Sequence, residues 1–510
     1  MQIFKIIRSL LIITLLLFLV PINYTQAQSY RVETIKVPKD IRLEVGGMGF
    51  WEDGTLVMCT RRGEIWKYKN GQFHSFTFGL QEPLGLLPGK VGEVWVIQRG
   101  EVSHILDTDA DGEADRFDTI NQDWGYTGNY HQYAFGLERD KEGNFYGTLG
   151  LGFYRGGDRF KGTWLGTDDD VKYRGWVIKV TPKGELIPFA PGLRAPNGIT
   201  ISPDGEIFTT DNQGSYIACG WLMHVKEGDF LGHPSGLIDD PRHKEPWKLS
   251  HEKLLSLRKR PAVFLPHGIM GNSTSKPIWD TTEGRFGPFA GQTLIGDVQN
   301  GKLTRVALET IDGEYQGASI PFIYNQLGGG VNRLLFDKEG TLWIGFTGRG
   351  WAAGEGLKKI TFTGKVPHEL LRMSLTKTGF HLTFTKPVDK TEAEKIGNYS
   401  LSHFELDWHA GYGTSPSNKQ TVIPTKATVS DDGLEVMLEL PELLKEKIYE
   451  LHINGLNATD GSKLEHPMAY YTLNRLKNQG FNCTYVKRKQ TMDACKYLNS
   501  LKIDPKMNYK

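Results

Sequence analysis

The chain has 510 residues, more than one ordinary domain, so two or three folded units are expected. Lys and Arg number 60 against 59 Asp and Glu, a formal net charge of +1 with no block of five or six like charges, which argues against a general nucleic-acid binder. A hydrophobic content of 39% with 12 Trp, 20 Tyr and 25 Phe excludes global disorder, and 60 glycines call for many tight turns, so an all-β class with short strands leads.

Residues 1–27 carry Lys5 and Arg8, an apolar run over 10–20, Pro21 and the small-residue exit Thr25-Gln26-Ala27. This reads as a cleavable secretory signal, and the apolar run is shorter than the ~20 residues of a spanning helix. The expected location is the periplasm or the medium, with no transmembrane segment. Removing Lys5 and Arg8 takes the formal charge from +1 to −1, so a neutral small molecule suits the mature chain better than a polyion.

A turn followed by alternating apolar residues then recurs six times. Its glycines are Gly54, Gly92, Gly143, Gly205, Gly291 and Gly340, spaced 38, 51, 62, 86 and 49 residues apart. Such spacing matches four-stranded propeller blades with insertions in the middle ones. One blade cannot bury both faces, whereas six arranged radially bury each face on a neighbour. A six-bladed β-propeller over 30–362 is therefore predicted, closed by residues 30–37 added as a strand to the last blade. Residues 366–475 change character: the alternation of 380–385, 434–440 and 449–453 predicts a small immunoglobulin- or fibronectin-like β-sandwich. The Lys-rich tail 476–510 receives no function.

Within the second blade, Asp107, Asp109, Asp111 and Asp115 alternate through a loop turned by Gly112. Hard carboxylate oxygens at this spacing suit Ca²⁺, here with a structural role, although a solvated acidic turn has the same composition. His131 ends the aromatic, Gly-rich stretch 124–131 and enters the third blade. A lone histidine is commonly structural, but loops entering an innermost strand converge on a propeller axis, and His titrates nearest neutrality, which makes His131 a candidate general base. Arg194 and Asn197 enter the fourth blade, while Asp211, Asn212 and Gln213 leave it. His267, Arg333, Arg349 and Trp351 stand at matching places further on. Guanidinium forks hold anions and indoles stack on flat faces, so this set suits a polyhydroxylated or carboxylated ligand; blade-to-blade hydrogen bonding is the alternative reading. Cys59 and Cys219 are expected as buried free thiols, and Cys483 and Cys495 could pair. No C-x-x-C-H occurs, so covalent haem is not expected.

His131-Gln132 followed by Glu142-Gly143-Asn-Phe-Tyr, Leu193-Arg194-Ala-Pro-Asn-Gly198, Thr210-Asp-Asn-Gln-Gly214 and Gly228-Asp-Phe-Leu-Gly-His-Pro234 resembles the soluble quinoprotein glucose/sorbosone dehydrogenase family over about residues 40 to 362. Within that family the chain looks most like the secreted bacterial propellers labelled membrane-bound or haem-binding dehydrogenases. The resemblance implies Ca²⁺, pyrroloquinoline quinone over the axis, a base at His131 and an arginine at Arg194 that stabilises the reduced quinone. It also implies cofactor or Ca²⁺ contacts from 211–214 and a sugar or polyol substrate. Where the family reads His-Gln-Ser-Gly-Arg, this chain has His131-Gln-Tyr-Ala-Phe135; Arg-Asn-Pro-Gln-Gly becomes Arg194-Ala-Pro-Asn-Gly198; and the family's acidic run is replaced by 215–221. Electrons would leave through a separate acceptor, a cytochrome or the quinone pool. Two further functions stay open: a lyase or epimerase using the same His131 and Arg194, and a propeller that only binds glycan or protein.

Overall fold

The structure, a computed structural model, describes residues 28–153, 160, 163, 165–167, 171–324, 326–348 and 354–477. Residues 1–27, expected as a secretory signal, Arg349, Trp351 and the tail from 478, with Cys483 and Cys495, lie outside them. The described chain is all-β, with antiparallel pairing in every sheet. Among the described residues no helix is long and apolar enough to cross a membrane.

Six consecutive sets of strands each run in antiparallel order, beginning with Val45–Phe50, Gly85–Pro88, Ala134–Arg139, Pro196–Ile201, Ile278–Trp279 and Val331–Phe336. The six recurring glycines all lie in the hairpin between the first and second strand of a set. Their φ values fall between 80° and 89°, a left-handed turn open to glycine at no steric cost. The recurring motif thus marks the turn into the second strand of each set.

The N-terminal strand pairs where expected. Tyr30–Ile35 pairs antiparallel with Leu357–Phe362, so the N-terminal segment completes the last set, Val331–Phe336 and Leu342–Phe346. Tyr30 also packs its ring on Phe286, Phe322 and Phe362, with centroids 5.0 to 5.5 Å away, and donates its hydroxyl to Phe286 O. First strands pack side by side: Val45–Phe50 against Gly85–Pro88 and Val331–Phe336, and Ala134–Arg139 against Gly85–Pro88 and Pro196–Ile201.

The fifth set does not end at its own edge. Its last strand, Glu314–Ile323, pairs with Met468–Leu473, and the sheet continues through Lys447–Ile453, Tyr399–Glu405 and Ser417–Val422 to eight strands. A separate sheet holds Leu370–Leu375, Gly379–Phe384, Glu435–Glu439 and Lys426–Val429. Phe380, Leu382 and Leu438 from that sheet meet Leu401, Leu451 and Tyr471 from the other in one apolar cluster, which also takes in Ala318 and Ile320. Cys59 and Cys219 are buried free thiols, their pKa values pushed up to about 12 by burial.

The inner ends of the sets are tied by one side chain, the 2% exposed Arg333. Its Nε donates to Gly46 O at 2.6 Å and its Nη2 to Leu84 O at 2.8 Å. Its Nη1 reaches Asn197 O and Oδ1 and Asn332 O and Oδ1, all at 3.0 to 3.1 Å. Phe135, from the third set, lies 6.0 Å from its guanidinium carbon. Burial pulls its pKa down to about 10, so it remains a cation at neutral pH, held by neutral oxygens alone. Arg333→Met strands carbonyls from four segments without a donor, and should cost about 3 kcal/mol or more of stability. Denaturant unfolding checks this, and an unchanged midpoint would show that water replaces the guanidinium without loss.

Candidate functional site

Directly over this tie lies a cavity of about 800 Å³. Six of the ten residues picked from sequence as catalytic or cofactor-contacting line it: His131, Arg194, Asn197, Asn212, Gln213 and His267. They come from the loop before the third set, the entry and first strand of the fourth, the connection between its second and third strands, and the connection between the fourth and fifth.

His131 is half-buried against the rings of Tyr133 and Phe153, at centroid distances of 5.0 and 5.1 Å, and of Tyr130 at 6.2 Å. Its Nδ1 lies 2.8 Å from Leu151 O. A carbonyl can only accept, so Nδ1 carries the proton and Nε2 is left with its lone pair. Desolvation, opposed by this hydrogen bond and aided by the nearby Arg194 and Arg99 charges, lowers the His131 pKa to about 4. The imidazole is therefore neutral at physiological pH, with its basic nitrogen defined.

Arg194 is 7% exposed. Its Nη1 donates to Gln213 O at 3.0 Å, its guanidinium lies 5.0 Å from the centre of the Tyr412 ring, and its buried Nε has no hydrogen-bond partner. Asp211 does not line the cavity. It is fully buried and accepts from the backbone N–H groups of Arg194, Ala195 and Asn212 at 2.6, 2.8 and 2.7 Å, clamping the turn that carries Arg194. Burial, partly offset by these bonds, lifts its pKa to about 6. Arg333 likewise sits beneath the cavity, its donors committed to the carbonyls and amides described above. From sequence both are expected to contact a cofactor; the structure instead gives them positions that shape the site.

Several lining residues escaped sequence reasoning. Arg61 bridges to Glu44 at 3.0 Å and donates to Gly348 O. Tyr130, Tyr133 and Phe135 form an aromatic wall, and Asn272 and Gln299 pair across an amide contact of 3.2 Å. Tyr412 arrives from the C-terminal region. For the aromatics a signal existed in the density of rings around His131; for Tyr412 there was none, since it belongs to a different part of the chain.

The acidic loop lies elsewhere, joining Val102–Leu106 to Arg116–Asn121. Asp107, Asp109 and Asp111 bring one oxygen each within 4.8 Å of the others, and Asp107 Oδ1 is buried without a hydrogen-bond partner. Asp115 stands apart in role: both its oxygens accept from Thr108, from the backbone N–H at 2.9 Å and from Oγ1 at 2.6 Å. That hydrogen bonding holds its pKa below the usual carboxylate value.

No family model matches the sequence, and no curated protein matches it either. Solved structures similar to this chain include one described as an oxidoreductase (glucose dehydrogenase) from Thermus thermophilus, with a TM-score of 0.47 and 17% identity over 65% of this chain and 99% of that one. The soluble aldose sugar dehydrogenase of Escherichia coli gives 0.47 and 14% over 65% and 99%. The PQQ-bound aldose sugar dehydrogenase of Streptomyces coelicolor gives 0.44 and 16% over 65% and 98%.

The lowered pKa fixes the pH behaviour of His131. The unfolded chain binds its proton near the ordinary value of 6.5 and the folded chain only near 4, so this group's neutral form favours folding fully above 6.5, and that contribution is lost as pH falls toward 4. The His131 ring resonance, assigned by its loss in His131→Ala, should titrate near pH 4. A midpoint near 6.5 would mean that the ring is solvated.

Proposed function

We propose that the protein is an exported oxidoreductase acting on a small sugar or polyol, with His131 taking the proton of a substrate hydroxyl and Arg194 stabilising negative charge on the acceptor. The observation that carries this reading is the state of His131: neutral, with Nδ1–H fixed on Leu151 O and Nε2 bearing the lone pair, in a wall that also holds a buried guanidinium. A base for an alcohol proton must be unprotonated at the working pH, and burial secures that here. In this reading the six sets of strands are the blades of a propeller over residues 30–362, with a β-sandwich at 366–475, and the cavity is the mouth of the axis. The dehydrogenase-like motifs around His131, Arg194 and 210–214 support it.

The lining also fits pyrroloquinoline quinone. Tyr130, Tyr133 and Phe135 offer aromatic faces to a flat ring, Arg61 and Arg194 offer charge to its carboxylates, and Arg194 Nε is a buried donor in want of an acceptor. When bound, the quinone supplies a two-electron acceptor for hydride. The chain's own part is to orient the substrate with the amides of Asn212, Gln213 and Asn272, to take its proton at His131 Nε2, and to keep the Arg194 turn rigid through Asp211. Electrons would pass onward to a separate acceptor, a cytochrome or the quinone pool.

The Asp107 to Asp111 loop is proposed as a structural Ca²⁺ site with three carboxylate ligands, Asp107 Oδ1 being the buried oxygen that a cation would satisfy. Metal-stripped protein should take up one Ca²⁺ by calorimetry, and Asp107→Asn combined with Asp109→Asn should weaken that uptake by about tenfold or more. Unchanged uptake in the double variant would remove the site.

The catalytic reading is tested by titrating Ca²⁺-loaded mature protein with pyrroloquinoline quinone, then assaying dye reduction over a panel of sugars. Quinone binding that His131→Ala preserves, with sugar-dependent reduction that it abolishes, is the expected result. Failure of a folded sample to bind quinone overturns the redox assignment and favours lyase chemistry or plain glycan recognition.

A further inference from the structure

The cavity is not built by residues 30–362 alone. The segment 407–414, between Tyr399–Glu405 and Ser417–Val422, leaves the C-terminal strands and lies along the 211–218 segment that carries Asn212 and Gln213. Three backbone bonds hold it there: Tyr216 N–H donates to His409 O at 2.9 Å, Gly413 N–H to Gly214 O at 3.0 Å and Thr414 N–H to Ala218 O at 2.9 Å. Tyr412 forms an isolated antiparallel bridge with Ser215. Trp408, 6% exposed, anchors the segment, its ring 4.8 Å from Tyr216 and 5.5 Å from the Arg258 guanidinium. Gly413 is required at its place: with φ at +67°, a Cβ there would come within 2.5 Å of the Gln213 side chain.

What this anchoring presents is an exposed ring. Tyr412 is 62% exposed, packs on the Arg194 guanidinium and lines the cavity. A ring so open contributes little to folding, yet its backbone is fixed on both sides, so the anchoring serves its placement. The neighbouring lining is rich in side-chain amides, Asn212, Gln213, Asn272 and Gln299. An aromatic platform beside an array of amides is complementary to a pyranose, whose C–H face packs on a ring while its hydroxyls exchange hydrogen bonds at the rim.

We propose that Tyr412 is a substrate-contacting, specificity-determining residue, so that the C-terminal region supplies part of the sugar subsite. This rests on the reading of the cavity as a sugar site. Arg194, whose guanidinium donates to Gln213 O and packs on the Tyr412 ring with no hydrogen bond to a carboxylate among the described residues, further favours a sugar bearing an anionic group, such as a uronate, over its neutral parent.

The test uses full-length mature protein, Tyr412→Ala and Tyr412→Phe, titrated calorimetrically with glucose, galactose, glucuronate and galacturonate, and separately with pyrroloquinoline quinone. Thermal unfolding serves as the folding control, since the exposed ring should be dispensable for stability. Tyr412→Ala is expected to weaken binding of the preferred sugar by about tenfold, with KM rising and kcat held wherever turnover is seen, while Tyr412→Phe retains affinity within about threefold. Unchanged sugar affinity in a folded Tyr412→Ala protein overturns the proposal and leaves the proposed function standing. Loss of quinone binding in that variant, with sugar binding intact, also overturns it by placing the ring on the cofactor. No sugar binding by the parent protein removes the proposed function and this inference together, a failure recognisable before any variant is made.

Discussion

A guanidinium with no counter-ion among the described residues organises this molecule. Arg333 brings a positive charge to the place where the innermost strands of different sets converge, and there it meets the oxygens of residues 46, 84, 197 and 332. Strands that meet end-on in a dry interior leave carbonyls that no ladder can satisfy, and each would carry a desolvation cost. Arginine suits the position because one planar head offers five donors, enough to serve several backbones at once. Asn332, donating to Val45 O at 2.7 Å, and Asn197, donating to Asn332 Oδ1 at 3.0 Å, extend the same solution sideways. A firm floor results, and the cavity residues can be held at fixed spacing because the floor beneath them is fixed.

Much of the scaffold could be read from the chain because its determinants are local. A left-handed glycine between two alternating stretches specifies a hairpin wherever it occurs, and six such hairpins are in place at Gly54, Gly92, Gly143, Gly205, Gly291 and Gly340. The pairing of Tyr30–Ile35 with Leu357–Phe362 was legible for a different reason: an alternating strand with no partner nearby in sequence has to find one at the far end of the ring. The site was legible only in outline. Polar residues at strand entrances indicated where the cavity would be, but not which of them face it. Arg333 and Asp211 look like Arg194 and Asn212 in sequence, polar residues within the same kinds of motif. What sets Arg333 apart from Arg194 is that all three of its side-chain nitrogens meet protein oxygens, whereas Arg194 Nε meets none among the described residues, and that depends on atoms brought together across the fold. Asp115 shows the same effect in a loop, where the hydroxyl of Thr108 engages an oxygen that spacing alone offers to a cation.

His131 and Arg194 illustrate how burial divides labour. Desolvation acts on both: it leaves the imidazole neutral at physiological pH and lowers the guanidinium's pKa from its ordinary value. Asp211 attracts the Arg194 guanidinium electrostatically, but its oxygens accept from the backbone N–H groups of Arg194, Ala195 and Asn212 rather than from the guanidinium.

The continuous sheet running from Ile278–Trp279 to Ser417–Val422 bears on how the chain can be shortened. The ten-residue strand Glu314–Ile323 would otherwise be an outermost edge with a row of free donors and acceptors, an invitation to pair with any extended segment in solution. Met468–Leu473 occupies that edge along Gly317, Ala318 and Ser319. The C-terminal strands therefore cover an edge that a chain shortened near residue 366 would leave open to pairing.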